Sequence, residues 1–346
     1  MKTSLLSPRL LVLTLAVATA LPGADRKVVI DGRDPHYGWA FSAEALAMYR
    51  KAGPNVEFVV ATTNQQLTTE VAEADAVIGG ISRELFPGAK KLKWVQSYSA
   101  GVENYNWKEF VDSPVLLTNC KIVQGPNIAD HAFAMLLALT RGLNFFLADK
   151  EKQEWNRDAH ELQELPGMTA VIIGVGGIGT QIAQRAHAFG MKVIGVDPKD
   201  IAPGVTVSRM VTPDRLDTVL PEADVVFVSA PLTAESRHMV GARQFDLMKK
   251  DSYFIAVSRG GLYDTNALVK ALDGKKLAGA GLDVTEPEPL PRNHTLWKFP
   301  NVVITPHVAG NSPGSWDRRR DVVRENIVRF VRNEPLRNLV DKKKGY

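Results

Sequence analysis

The stretch that most constrains the fold of this chain is TAVIIGVGGIGTQIAQRAHAFGMKVIGVD, residues 169–197. It reads as an apolar strand, a turn with glycines at 174, 176 and 179, an amphipathic helix and a second apolar strand that ends in Asp197. A strand, a helix and a strand in this order form the repeating unit of α/β folds with a parallel sheet. The stretch therefore predicts a layered α/β domain.

The same alternation of strands and helices extends along the chain on both sides of this stretch. In the second half the strand-like runs are near-continuous and apolar, as in ADVVFVSAPL, SYFIAVSRG, LAGAGLDV and NVVITPHVAG. Such runs are typical of a parallel sheet that is covered on both faces. Similar runs before residue 100, and a length of 346 residues, predict a doubly wound α/β architecture in two domains. Residues 127–148 are apolar on most faces and predict one buried helix, and the terminal DKKKGY is expected to fray.

The N-terminus has the features of a secretory signal peptide over residues 1–20. Two basic residues, Lys2 and Arg9, precede the apolar run from Leu10 to Ala20, which ends in a small-x-small cleavage pattern. The run is too short to span a bilayer, so no stable membrane insertion is expected after cleavage. Export to the periplasm or medium is the prediction. The alternatives are an uncleaved anchor and an over-extended start codon, and the second would leave a cytoplasmic protein.

Net charge and cysteine content exclude some classes of function. The formal charge is +4 and falls to +2 if Lys2 and Arg9 are removed, which gives no reason to expect a nucleic-acid partner. The single cysteine, Cys120, excludes an intramolecular disulfide and a multi-cysteine metal site. Its apolar surroundings predict a buried, inert thiol, and no metal site is predicted.

The glycine turn and the acid that follows it have the parts of a dinucleotide-binding unit. The first glycine permits a tight turn, the second lets the backbone approach a pyrophosphate, and the third lets the helix pack closely on the strand. The start of the helix binds the diphosphate through free N–H groups and the positive end of its dipole. Asp197 would accept hydrogen bonds from the ribose hydroxyls and repel a 2′-phosphate, which favours NAD over NADP, although Lys199 opposes that preference. The alternative is a glycine turn that serves packing alone.

Polar side chains follow three other predicted strands at the point where each strand ends. Arg259 ends YFIAVSR, Asp283 ends LAGAGLD, and His307 follows NVVITP. Ligands of open α/β sheets bind beyond the carboxyl ends of the strands. The three side chains therefore predict an active site beside the dinucleotide. The other histidines, which include His131, lie in helical or polar segments and carry no predicted role.

From about residue 74 to residue 335 the chain resembles the D-isomer-specific 2-hydroxyacid dehydrogenases. The matching pieces, in family order and spacing, are GVGGIG, SAPLTAESRHMV, AVSRGGLYDTNAL, GAGLDVTEPEPLP and VVITPHVAGNS. The resemblance implies a Rossmann cofactor domain over residues 119–307 and a flavodoxin-like substrate domain over residues 25–118 and 308–346. An active-site cleft would lie between these two domains.

The resemblance also implies a catalytic set of Arg259, Glu288 and His307. Reduction of a 2-keto acid requires a hydride donor, a proton donor for the carbonyl oxygen and a cation for the carboxylate. Histidine exchanges protons near neutral pH, which suits His307 to general acid–base work. A hydrogen-bonded carboxylate, here Glu288, favours the imidazolium form. Arg259 offers a planar fork to the substrate carboxylate and carbonyl. Of the neighbouring acids, Glu286 is expected to be a solvated charge.

Further contacts are carried over from the family to matching positions of this chain. The backbone of Ser99, Ala100 and Gly101 would receive the substrate carboxylate. The cofactor would contact Gly174, Gly176, Gly177, Ile178, Gly179, Asp197, Pro231, Thr233, Ser258, Arg259 and Asp283, with Asp283 on the nicotinamide side. The apolar segment at 127–148 implies a homodimer.

The function that the resemblance implies is an NAD-dependent 2-hydroxyacid dehydrogenase. Its substrate would be a small 2-hydroxy or 2-keto acid such as glyoxylate, hydroxypyruvate or pyruvate. The alternative from another class is a non-catalytic NAD(H)-binding module that controls protein association. Export and a nicotinamide cofactor are in tension, because free NAD is a cytosolic metabolite.

Overall fold

The computed structural model describes residues 25–158, 160–199 and 201–346, so the predicted signal peptide lies outside the described residues. Two parallel sheets organise the described chain. One has five strands in the order β2-β1-β3-β4-β5, and the other has seven in the order β12-β11-β10-β9-β6-β7-β8. The predicted α/β fold with two parallel sheets is confirmed.

The five-stranded sheet is built from the first part of the chain. Its elements are β1 (Arg26–Asp31), α1 (Ala43–Ala52), β2 (Val56–Ala61), α2 (Asn64–Val71), β3 (Ala76–Gly79), β4 (Trp94–Ser97), α3 (Lys108–Val111) and β5 (Leu116–Thr118). Every neighbouring pair of strands is parallel, so the carboxyl ends of all five meet at one edge. The loop after β4 at this edge contains residues 99–101.

Two helices, α4 (Gly125–Thr140) and α5 (Leu143–Lys152), connect the sheets. The prediction of one buried helix over 127–148 is wrong in two respects. Gly142 has a left-handed φ of +65°, and the helix axis bends by 65° there. The side chains of α4 pack on the second sheet, whereas α5 has no buried residue. Among the described residues no single helix is long and apolar enough to cross a membrane, and only α4 and α5 together meet that length and composition.

The seven-stranded sheet occupies the middle of the chain. Its elements are β6 (Thr169–Ile173), α6 (Gly177–Ala188), β7 (Lys192–Val196), β8 (Arg209–Val211), α7 (Leu216–Val219), β9 (Val225–Val228), α8 (Ala242–Leu247), β10 (Ser252–Ala256), α9 (Thr265–Asp273), β11 (Leu277–Leu282) and β12 (Val302–Ile304). The residues of β9 and β10 are all buried, because helices cover both faces. The chain runs outward from β6 in one direction and from β9 in the other.

The chain then returns to the first sheet. Helix α10 (Pro313–Val331) places Val323, Ile327 and Phe330 in a core shared with strands of the five-stranded sheet. The terminal segment, which we expected to fray, makes contacts with the five-stranded domain. Lys342 donates from Nζ to three carbonyl oxygens, those of Phe110, Ser113 and Val115, at 2.7–2.9 Å.

Candidate active site

The carboxyl ends of the seven parallel strands gather the predicted site residues at one edge of the sheet. Gly174 directly follows β6 and Asp197 directly follows β7. Arg259, Asp283 and His307 follow β10, β11 and β12, which are neighbours in the sheet. The strand order reverses between β6 and β9, and a crevice at such a switch point is where open α/β sheets bind ligands.

The glycine loop leaves an open space in front of helix α6. Gly174 has φ +89° and a Cβ there would collide with the backbone of Ala230, while a Cβ on Gly179 would overlap the Gly174 carbonyl. By contrast, nothing lies within 4 Å of the place where a Cβ on Gly176 would project. Gly177 and Ile178 form the first turn of α6, where amides lack intrahelical partners. This open cradle fits the pyrophosphate of a dinucleotide.

Asp197 connects the glycine loop to the end of β7. Its Oδ2 accepts a hydrogen bond from the Val175 amide and its Oδ1 accepts one from the Lys199 amide, both at 2.9 Å. The residue is 9 % exposed. The carboxylate thus lies at the end of the second strand, where the sequence placed the ribose contact, and each oxygen retains acceptor capacity.

His307 and Glu288 form a direct pair. The ring nitrogen Nδ1 of His307 lies 2.6 Å from Oε1 of Glu288, across 19 positions of sequence. Because a carboxylate only accepts, Nδ1 carries a proton and donates it to this bond. Nε2 of His307 has no hydrogen-bond partner among the described residues and is the nitrogen available to a ligand. Both side chains are partly exposed, as an accessible site requires.

The turn that carries His307 is held by the buried carboxylate of Asp283. His307 itself has φ +53°, a left-handed conformation that non-glycine residues rarely adopt. Oδ1 of Asp283 accepts from the Val308 amide at 2.9 Å and from the Thr305 hydroxyl at 2.6 Å, and Oδ2 accepts from the Ala309 amide at 3.0 Å. The surrounding structure thus determines the backbone at the catalytic candidate.

Arg259 contacts the domain of the five-stranded sheet. Its Nε donates to Oε1 of Glu103 at 2.6 Å, and its Nη1 donates to the carbonyl of Ser258 at 2.6 Å. A Cβ on Gly101 would overlap both Nη2 of Arg259 and the Glu103 carboxylate, so the guanidinium lies directly against this glycine. The predicted substrate loop and the predicted substrate cation are therefore in contact.

The loop over residues 99–101 offers fewer free amides than the sequence suggested. The Ser99 amide donates to Oγ of Ser97 at 3.2 Å. The amides of Ala100 and Gly101 donate to no acceptor within the part of the chain that the structure describes. The Ala100 carbonyl accepts from Nδ2 of Asn119 at 2.6 Å, which holds the loop in place. Two N–H groups of this loop are thus available to an anion.

The remaining predicted contacts lie along the same edge. Pro231 and Thr233 follow β9 in a turn held by Ser236, whose hydroxyl donates to the Pro231 carbonyl at 2.7 Å and accepts from the Thr233 amide at 2.8 Å. Ser258 is buried and its hydroxyl donates to the Val228 carbonyl. These residues follow β9 and β10 at the same edge of the sheet as the glycine loop.

Glu286 is partly exposed, as expected for a solvated charge, but it is also paired with two other side chains. Its carboxylate accepts from Nη1 of Arg237 at 2.9 and 3.0 Å, and it lies 3.0 Å from Nε2 of His238. The hydrogen bond to His238, followed by the one to Arg237, lowers the pKa of Glu286. Glu286 therefore ties the loop before Glu288 to the segment after β9.

Three residues at the site were not predicted from the sequence. Glu103 pairs with Arg259, Ser229 donates to the Gly174 carbonyl at 2.8 Å, and Nε2 of His131 lies 2.8 Å from the Thr305 hydroxyl. Ser229 directly follows β9, so its position at a strand end was the available signal. The other two lie in elements whose contacts are set by tertiary packing.

Comparisons with known proteins agree with this geometry. Residues 133–309 match the family described as D-isomer specific 2-hydroxyacid dehydrogenase, NAD binding domain. The chain is 35% identical over 287 residues to a glyoxylate reductase of Thermococcus litoralis, covering 80% of this chain and 86% of that protein. It is 30% identical over 305 residues to a D-3-phosphoglycerate dehydrogenase of Methanocaldococcus jannaschii, covering 86% of this chain but only 57% of that longer protein.

A solved structure extends the similarity to the whole described fold. The NADPH-dependent glyoxylate/hydroxypyruvate reductase of Sinorhizobium meliloti, determined with NADP and sulfate, superposes with a TM-score of 0.80 at 28% identity. The match covers 93% of this chain and 100% of that one. With its NAD-binding domain matched by sequence and both sheets matched by structure, this chain belongs to the D-isomer-specific 2-hydroxyacid dehydrogenase family of oxidoreductases.

Proposed function

We propose that this protein reduces small 2-keto acids to 2-hydroxy acids with NADH, and catalyses the reverse oxidation with NAD. The observation that carries the proposal is the 2.6 Å pair of His307 and Glu288 at the same edge of the sheet as Arg259 and the glycine loop. The glyoxylate reductase and the glyoxylate/hydroxypyruvate reductase among its relatives support glyoxylate and hydroxypyruvate as the first substrates to test.

His307 is the general acid in this proposal. The dinucleotide, when bound, supplies the hydride that adds to C2 of the keto acid. As C2 gains the hydride, the carbonyl oxygen gains a proton from Nε2 of His307, and the hydroxy acid results. Glu288 holds the ring by Nδ1, which leaves Nε2 directed away from the pair and stabilises the imidazolium before transfer. In the oxidative direction the neutral ring takes the proton back.

Arg259 and the loop over residues 99–101 bind the substrate carboxylate in this proposal. Nη2 of Arg259 lies against Gly101, and the neighbouring amides of Ala100 and Gly101 point to no other acceptor in the described chain. A carboxylate at this place would accept charge-assisted hydrogen bonds from the guanidinium and from the loop. These donors would orient C2 and polarise its carbonyl oxygen.

NAD is the proposed cofactor in preference to NADP. The carboxylate of Asp197 lies at the end of β7, where the ribose of a dinucleotide binds, and its charge would repel a 2′-phosphate. The S. meliloti relative uses NADPH, so the preference needs a direct test. Comparison of kcat/KM for NADH and NADPH in the wild type and in Asp197→Ser should show a preference for NADH that the variant loses. A wild type that prefers NADPH would contradict this assignment.

The activity test follows the loss of reduced-nicotinamide absorbance with glyoxylate, hydroxypyruvate and pyruvate. His307→Ala should lower kcat by about 10²–10⁴-fold while NADH binding, followed by fluorescence, stays within about twofold. An unchanged rate in the variant would show that His307 is not the general acid. Binding of NADH without turnover of any keto acid would instead favour the non-catalytic module.

A homodimer is proposed from the exposed apolar side chains of α5 and the segment after it. Leu147 is 61 % exposed and Trp155 is 94 % exposed, although both are large apolar side chains. A second copy that covers this face would remove them from water. Sedimentation of the wild type should give a dimer, and Leu147→Glu should give monomers. A monomeric wild type would exclude the proposal.

Export is proposed from residues 1–20 alone. Sequencing of the N-terminus of the native protein distinguishes the possibilities. A first residue of Leu21 supports cleavage after Ala20, whereas a first residue of Met1 contradicts it.

A further inference from the structure

The contact between Glu103 and Arg259 joins the two domains at the centre of the proposed site. Glu103 follows the loop over residues 99–101 in the five-stranded domain, and Arg259 follows β10 in the seven-stranded domain. Oε1 of Glu103 accepts from Nε of Arg259 at 2.6 Å, across 156 positions of sequence. Both side chains are mostly shielded from water, at 32 % and 23 % exposure, so this bond is stronger than an ordinary surface ion pair.

Two bonds together fix the plane of the Arg259 guanidinium. Glu103 accepts a hydrogen bond from Nε and the Ser258 carbonyl accepts one from Nη1, both at 2.6 Å. Hydrogen bonds at two of its nitrogens restrain the planar guanidinium against rotation about the Cδ–Nε bond. The third nitrogen, Nη2, is left facing Gly101, because a Cβ on that glycine would overlap it.

Because Nη2 lies against Gly101, free donors of the two domains are close together. The amides of Ala100 and Gly101 belong to one domain and Nη2 belongs to the other, and none of the three N–H-bearing groups has an acceptor within the described residues. An anion that accepts from all three would bridge the domains. Glu103 makes this convergence possible without itself offering a donor to the anion.

We propose that Glu103 is a positioning residue, which holds Arg259 so that Nη2 and the amides of Ala100 and Gly101 converge on the carboxylate of the substrate. This inference rests on the proposed function, because it assigns the part of that site that sets affinity for the keto acid. The competing possibility is that the Glu103 carboxylate occupies the place of the substrate carboxylate and weakens its binding. Oε1 of Glu103 engages Nε, while its Oε2 lies against Gly101 beside Nη2, so the direction of the change in KM in a Glu103 variant decides between positioning and competition.

The test compares Glu103→Gln with the wild type in steady-state reduction of glyoxylate. Loss of a hydrogen bond between charged groups predicts a rise of about tenfold or more in the KM for glyoxylate. The KM for NADH should stay within about twofold, because the glycine loop is not touched. Glu109→Gln is the matched control, since Glu109 pairs with Arg83 at 3.0 Å on the surface of the same domain and should change neither constant.

A second measurement separates positioning from a general structural effect. Arg259→Met has no N–H donor on its side chain, so Glu103 has nothing to hold in that background. Adding Glu103→Gln to Arg259→Met should therefore leave the affinity for oxamate, a non-reducible analogue followed by fluorescence of bound NADH, within about twofold. Glu103→Gln in the wild-type background should weaken oxamate binding by about tenfold.

Three results would overturn the inference. A lower KM for glyoxylate in Glu103→Gln would show competition, and an unchanged KM would show that Arg259 needs no partner. Equal losses of oxamate affinity in both backgrounds would show that Glu103 acts without Arg259. A wild type that neither turns over a keto acid nor binds oxamate would instead remove the proposed function, and this inference with it.

Discussion

The carboxylate of Asp283 accepts a hydrogen bond from the amide of Val308 at 2.9 Å, so a side chain at the end of one strand holds the turn after the next strand. The same carboxylate accepts from Ala309 and Thr305, and it is 2 % exposed. His307 lies inside this turn with φ +53°. The sequence suggested a contact between Asp283 and nicotinamide, which stays a prediction. The geometry gives Asp283 a further task, which is to fix the backbone of His307.

Asp283→Asn tests this task. The asparagine Nδ2 would replace one of the two acceptor oxygens. In one orientation it would face the Ala309 amide, and in the other it would face the Val308 amide and the Thr305 hydroxyl. In either orientation a buried donor would lose its acceptor. We expect the free energy of unfolding to fall by about 1–3 kcal/mol and kcat to fall by about tenfold or more. Urea unfolding and steady-state kinetics measure the two effects. Leu220 is fully buried and precedes β9, at the opposite edge of the sheet from this turn, so Leu220→Ala provides a control that loses stability through packing alone. Equal kcat in Asp283→Asn and the wild type would contradict the role.

Glu288→Gln and Glu286→Gln form a matched pair on one loop. Glu288 contacts the ring of His307. Glu288→Gln should therefore lower kcat for reduction by about 10²-fold. Glu286 pairs with Arg237 and His238, and Glu286→Gln should leave kcat within about twofold. Steady-state reduction of glyoxylate measures both variants, and a loss of kcat in Glu286→Gln alone would reverse the assignment of the two acids.

The lowered pKa of Glu286 also predicts a stability effect with a definite sign. Its carboxylate is stabilised in the folded state by His238 first and then by Arg237. A carboxyl group with a depressed pKa contributes stability above its unfolded value, and loses it as pH falls through the folded value. The wild type should therefore lose more stability than Glu286→Gln between about pH 5 and pH 3. The difference should be no more than about 1 kcal/mol, because the pair is partly exposed. Urea midpoints that run parallel over this range would contradict it.

The elements and strand ends followed from local patterns in the sequence. Near-continuous apolar runs are sufficient to identify buried parallel strands, and the carboxyl ends of such strands share an edge, which placed Arg259, Asp283 and His307 together. The proximity of Glu288 and His307 followed only from the resemblance to a family. Once that proximity was assumed, the acid–base chemistry of the pair could be argued from the two residue types.

The contacts that the sequence did not indicate depend on long-range packing. Glu103 and Arg259 are 156 positions apart, and their bond exists because two sheets meet in one orientation. The break between α4 and α5 depends on the left-handed φ of Gly142, and an isolated glycine in an apolar run predicts such a break only weakly. The Lys342 ammonium donates to three carbonyl groups of another segment, and the sequence of a short charged tail does not predict such contacts.

Gly176→Val and Gly177→Val distinguish the role of the glycine loop in cofactor binding from its role in packing. Nothing lies within 4 Å of a Cβ at Gly176, and its φ of −80° is open to any residue, so the valine should leave the melting temperature within about 2 °C. Gly176→Val should weaken NADH binding by about tenfold or more, because the valine fills the space in front of α6 where the pyrophosphate would approach. Gly177 lies against the backbone of Ile122, so Gly177→Val should lower the melting temperature as well. NADH fluorescence titration and thermal unfolding give both readouts for both variants. If Gly176→Val bound NADH as tightly as the wild type, the dinucleotide would not lie on the glycine loop.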